Sequence, residues 1–169
     1  MPHIPPHVYI PFLVLLSMGI SRCYPRTIRI GRLLIMPFLM VVVGVRGFME
    51  LFPFVHPSSL LAGVAGAVLG IMVGYHHVRR WTISVDRAAG TLSVPGDVMM
   101  FVIILSSFLF EVCLHYLVES GTVSAGNLLL QVAAAAIWAL FAGMSVGRNL
   151  NLSSRFFKAD LAAPQVLTR

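Results

Sequence analysis

Long apolar runs separated by short polar segments dominate the chain. Five runs are long enough, with their flanks, to form membrane-spanning helices, since about 20 predominantly apolar residues cross the hydrocarbon core. They cover residues 6–22, 33–54, 58–78, 97–118 and 124–146. The pattern predicts an all-α membrane protein in which residues 1–169 form one transmembrane domain.

The segment between the third and fourth spans has a different period. In residues 81–96, WTISVDRAAGTLSVPG, apolar and polar positions alternate on both sides of a short turn. Alternation of period two around such a turn is typical of a β-hairpin. The turn and the end of the hairpin are assigned to Asp86, Gly90, Pro95 and Gly96. Asp97 is then placed to cap the fourth helix by accepting backbone N–H bonds.

Composition and charge set the class of protein and its orientation. Hydrophobic residues make up 58% of the chain and charged residues 11%, which excludes a soluble globular domain. Eleven of the twelve Lys and Arg residues lie in residues 21–32, 79–96 or the tail, 148–169. The positive-inside rule therefore predicts an N-terminus outside and a C-terminus in the cytoplasm, with the hairpin also cytoplasmic. The basic excess favours anionic lipid headgroups as partners rather than nucleic acid.

Small residues repeat every four positions in two of the spans. The principal members of these stripes are Gly66, Gly70 and Gly74 in the third span, and Ala139, Gly143 and Gly147 in the fifth. Such stripes let helix backbones approach closely in lipid. Two interpretations stay open: packing of the third span on the fifth, or the contact surface of a homo-oligomer.

The twelfth basic residue, Arg46, lies inside the second span together with Glu50. Charges in hydrocarbon need partners. At 1.5 Å per residue, Arg46 and Glu111 both lie about 20 Å from the cytoplasmic side, and Glu50 and His115 about 26 to 27 Å. Gln131, about 10 Å below the outer face, falls into the same region. We expect one intramembrane polar layer formed by these five side chains.

The role of that layer has three interpretations. It is a network that fixes helix register, a path for a transported ion or proton, or a metal site built from Glu50, Glu111 and His115. The two cysteines, Cys23 and Cys113, lie at different depths and are not expected to form a disulfide.

From its first span to its fourth, the chain resembles a family of small bacterial membrane proteins of unknown function and, more faintly, CcdC-like proteins associated with cytochrome c biogenesis. The resemblance covers residues 13–118, and its most specific residues are Val85, Asp86, Arg87, Gly90, Pro95 and Gly96. The chain departs from the family at Asp97, where the family tends to have Ser, and at Glu111, where it tends to have a basic residue. The resemblance implies no activity.

These observations favour a multi-pass protein of the bacterial inner membrane. We expect a structural or interaction protein rather than an enzyme, without a cofactor or a resident metal. The alternative is a small transporter or an ion-conducting oligomer that uses the polar layer.

Overall fold

Four long α-helices and a small sheet make up most of the described part of the chain. The computed structural model describes residues 13, 16–17, 19–33, 35–86, 89–124 and 126–162. The helices are α1 (Ile35–Leu51), α2 (Pro57–Val78), α3 (Val98–Glu119) and α4 (Leu128–Ala162). Residues 19–22, at the end of the first predicted span, are also helical. Most of that span, 6–22, lies outside the described residues.

Three of the described helices are long and apolar enough to cross a membrane. They are α2, α3 and the Leu128–Lys158 part of α4. The fourth, α1, has 17 residues and contains both Arg46 and Glu50. Proline at the first position of α2 favours a helix start there, because its missing N–H would have no partner in the first turn.

Helices α2 and α4 pack in parallel with their backbones in close contact. A Cβ atom added at Gly66, Gly70 or Gly74 of α2 would collide with the backbone carbonyls of α4. In return, a Cβ at Gly143 or Gly147 would collide with the backbone of α2. The structure thus brings together the two small-residue stripes, in the intramolecular arrangement. Each glycine removes the one atom that would hold the helices apart.

A three-stranded antiparallel sheet lies at one end of this helix pair. Its strands are β1 (Arg26–Arg29), β2 (Ser84–Asp86) and β3 (Thr91–Val94), with β3 in the centre. Ile28 and Val85 both pair with Leu92, which is fully buried. The apolar face of the sheet therefore packs on the helix ends.

Two buried apolar clusters mark the two ends of the helices. The sheet cluster comprises Leu33, Val78, Leu92, Val94 and Leu152. The far cluster comprises Leu51, Phe52, Leu114 and Ala134. Because Leu33 precedes α1 and Leu51 ends it, α1 runs from one cluster to the other beside the α2–α4 pair.

The structure differs from the predicted elements at three points. The hairpin is part of a three-stranded sheet, because residues 26–29 form a third strand within the basic segment 21–32. Its first strand begins at Ser84 rather than at Trp81. The last helix does not end at Val146 but continues to Ala162, so that most of the predicted tail is helical.

Candidate anion-binding site

Arg148 of α4 occupies the junction between the helices and the sheet. Its side chain is 7% exposed and donates from Nη1 to Oδ2 of Asp97, which is equally buried. The guanidinium carbon lies 4.9 Å from the centroid of the Trp81 ring, a cation–π distance. His77 Nε2 lies 3.5 Å from the other Asp97 oxygen. Arg148 is thus fixed from two sides by residues of other segments.

Asp97 does not have the role that the sequence predicted. It occupies the N-cap position of α3 with extended backbone dihedrals, but its side chain makes no capping hydrogen bond. The carboxylate instead pairs with Arg148, because a buried guanidinium without an acceptor is strongly destabilising. The backbone N–H of Asp97 donates to the carbonyl of Arg22 at 2.8 Å, which joins α3 to the segment that leads into β1.

Five arginines line a cavity of about 600 Å³ next to this junction. They are Arg22, Arg26, Arg29, Arg32 and Arg148. Polar Thr27, Thr91 and Asn149 also line the cavity, together with apolar Met100 and Leu152. The volume is within the usual range for sites that bind small ligands.

Positive charge in the cavity is largely uncompensated. Among the described residues, Arg148 is the one lining arginine that forms an ion pair with a carboxylate. Burial, followed by the neighbouring charges of Arg22 and Arg148, lowers the pKa of Arg26 to about 10, and Asp97 opposes this shift. Arg26 is therefore still charged at neutral pH, although burial and the neighbouring arginines make its charge unfavourable.

The cavity lies at the depth of lipid headgroups if α4 crosses a membrane. Arg148 follows Leu128 by 20 residues, or about 30 Å of helix, which is the thickness of the hydrocarbon core. Guanidinium groups bind phosphate oxygens through paired N–H donors. The cavity thus has the chemistry for a phosphate-bearing anion with an apolar portion alongside.

The sequence contains a signal for this site in the basic segment 21–32, which predicts orientation and an attraction to anionic headgroups but not a cavity. Arg22, Arg26, Arg29 and Arg32 recur every three or four residues, a spacing that concentrates charge whether the backbone is helical or extended. Their meeting with Arg148 depends on β1 pairing with β3, which the local pattern did not indicate.

The residues of the predicted intramembrane layer divide into separate groups. Arg46 Nε donates to Glu50 Oε1 at 2.9 Å on the outside of α1, where the two side chains are 80% and 59% exposed. Glu111 of α3 instead faces the opposite side of α1, with Oε1 3.0 Å from the position of a Cβ added at Gly47. Among the described residues, Arg46 and Glu111 form no ion pair. His115 lies 3.9 Å from Glu119 on its own helix.

Gln131 lies at the far end of the helices and not among these charges. Its side-chain oxygen accepts from the backbone N–H of His56 at 3.0 Å and from Ser59 Oγ at 2.9 Å. Its amide donates to the carbonyl of Phe54. Gln131 therefore ties α4 to the connection between α1 and α2, and the depth estimate did not anticipate this local use of its amide.

The metal-site interpretation of the polar layer has no support in the part of the chain that the structure describes, where no three His, Cys, Asp or Glu side chains are placed to hold a metal ion. The predicted turn residues occupy the turn: Asp86 Oδ1 accepts from the backbone N–H of Ala89 at 3.1 Å, and Gly90 has a φ of 61°. Gly96 lets the chain pass close to the carbonyl of Cys23. Pro95 directly follows β3.

Comparison of the chain with protein families, with curated proteins and with solved structures finds no match. The functional argument therefore depends on the geometry of the site.

Proposed function

We propose that this is an integral membrane protein that binds the phosphate-bearing headgroup of an anionic lipid in the arginine-lined cavity. The observation that carries this proposal is the meeting of five arginines with one carboxylate partner at the end of the membrane-crossing helices. The apolar residues beside them suit the first part of an acyl chain. In this proposal the protein is a non-enzymatic interaction protein.

The proposal includes five spans with the N-terminus outside and the C-terminus in the cytoplasm of a bacterial cell. The distribution of Lys and Arg supports this orientation, since the sheet and its arginines then lie on the side where anionic lipids attract positive charge. We propose the bacterial inner membrane as the location. The role of α1 as a span is supported by its course from the sheet cluster to the far cluster.

We favour headgroup binding over a transport path within one copy of the chain. Such a path needs polar side chains that line a wet interior. Arg46 and Glu50 instead lie on the outside of the described helices, so they line no path within one copy. The cavity at the sheet end offers a binding site without requiring such a path.

Lipid titration of the purified protein tests the proposal. We expect phosphatidylglycerol to raise the unfolding temperature in detergent, and phosphatidylcholine to have little effect. Arg26→Gln or Arg32→Gln should each weaken phosphatidylglycerol binding about five-fold, because one arginine near a membrane surface contributes about 1 kcal/mol.

Arg80→Gln is the matched control, since Arg80 is an exposed arginine that does not line the cavity. Stabilisation by inorganic phosphate as strong as that by the lipid would identify a soluble anion as the ligand. Equal losses in the control and the cavity variants would contradict the assignment of the site.

A further inference from the structure

The outward face of α1 carries two exposed charged side chains within the length of the helix. Phe38, Val42, Arg46 and Glu50 form a row at four-residue spacing. Phe38 is 71% exposed and Val42 46%, and both charged side chains are more than half exposed. We call this row, with the exposed Met49 beside it, the α1 outer face.

Both charges on this face lie within the hydrocarbon if α1 spans the membrane. Arg46 precedes Leu51 of the far cluster by five residues, so it lies about 8 Å inside that end of the helix. Charged side chains in membranes almost always face other protein or water rather than lipid. The Arg46–Glu50 pair lowers the cost of each charge but leaves the pair as a whole exposed. The described part of this chain does not cover it, so we expect another protein surface to do so.

We infer that a second copy of this chain covers the α1 outer face and that Arg46 of each copy pairs with Glu50 of the other. The face is self-complementary, because it presents opposite charges one helical turn apart. We place the two copies around a twofold axis along the membrane normal. Each Arg46 then lies about 6 Å lower or higher along that axis than Glu50 of the other copy, and the two long side chains can span this distance. The four charges then alternate in sign around the axis.

The shape of the face fits this arrangement. A row at four-residue spacing is the ridge that interdigitates with its counterpart in the commonest class of helix crossing. A twofold interface uses the same patch on both copies, so no further feature has to be assumed. This inference does not depend on headgroup binding, which involves residues at the opposite end of α1.

Exchange of charges between two co-expressed, differently tagged copies tests the pairing. Each of Arg46→Glu and Glu50→Arg gives a face of one sign, so we expect each variant to lose self-association at least five-fold. Co-expression of the two variants should restore association, because each copy then supplies the charge that the other needs. Equal co-purification in all combinations would overturn the inference, and so would a wild-type protein that does not associate with itself.

Disulfide cross-linking tests the face with its native charges intact. In a background with Cys23→Ser and Cys113→Ser, Val42→Cys should form a covalent dimer on oxidation in membranes. Leu105→Cys is the control, since Leu105 follows the start of α3 by the same seven residues and is 37% exposed. Cross-linking at Leu105 equal to that at Val42 would overturn the inference. A Val42→Cys protein that stays monomeric would do the same and would assign the covering surface to another part of the chain or to another protein.

Discussion

Asp97 and Arg148 stabilise the junction as a pair, and each depends on the other. Removal of one partner of a buried pair leaves an uncompensated charge, which costs about 3 to 5 kcal/mol. We therefore expect Asp97→Asn and Arg148→Gln each to lower the unfolding temperature strongly in detergent, and the double variant to lose less than the sum. A double-mutant cycle measures this coupling. Additive losses would contradict a direct pair.

Gly90 is required for its backbone conformation rather than for space. Its φ is 61°, and nothing lies within 4 Å of an added Cβ. Gly90→Val should destabilise the sheet by about 1 to 2 kcal/mol, because side chains resist the left-handed region. Gly90→Asn should retain more stability than the Val variant, since Asn tolerates this region.

Gly31→Ala provides the control for Gly90→Ala. Both glycines have open space for a methyl group, but Gly31 does not have a positive φ. Urea or thermal unfolding should therefore show a larger loss for Gly90→Ala. A similar loss at both positions would mean that the turn conformation is not the cause.

At the residue scale, the sequence predicts which residues form a turn more reliably than it predicts which side chains pair with each other. Asp86 and Gly90 could be placed in a turn because a turn is decided by neighbouring residues. Asp97 was misassigned because its partner lies 51 residues away, and a capping role satisfies the same local pattern. Matching depths predict Arg46 and Glu111 in one layer, but depth does not determine the direction in which a side chain points.

At the element scale, the contact between α2 and α4 depends on a missing Cβ. Gly70→Ala should cost about 1 to 3 kcal/mol in detergent, because the methyl group meets the carbonyl of Leu140 and forces the helices apart. Gly63→Ala on the same helix is the control, since its nearest neighbours lie 3.9 Å away. Thermal unfolding of both variants measures the difference. Equal stability would show that the two helices separate without cost.

Two elements could not be predicted from local pattern. Strand β1 has four residues, two of them arginine, and it is a strand because β3 supplies its hydrogen bonds. The extension of α4 beyond Val146 carries basic residues that are typical of a cytoplasmic tail. It stays helical because Leu152 and Phe156, one turn apart, pack on the sheet cluster. In both cases tertiary contacts outweigh the local preference.

At the scale of the whole molecule, one end of the bundle concentrates most of the positive charge. The sheet holds β1, the hairpin and the extension of α4 together, and each of them is rich in arginine or borders an arginine-rich segment. The far cluster instead joins the opposite ends of the helices through aromatic and aliphatic side chains. The bundle thus has one end rich in Lys and Arg and one end with few of them, which is the asymmetry that the positive-inside rule associates with a fixed orientation.

This asymmetry predicts which ends of the helices can be labelled from outside the cell. In a background without Cys23 and Cys113, we expect Thr122→Cys in the connection between α3 and α4 to react with a membrane-impermeant maleimide in intact cells. Ala89→Cys in the hairpin turn should react only after permeabilisation. Both positions are exposed, so access to the side chain does not separate them. External labelling of Ala89 would place the arginine-lined cavity outside the cytoplasm and would contradict the proposed orientation.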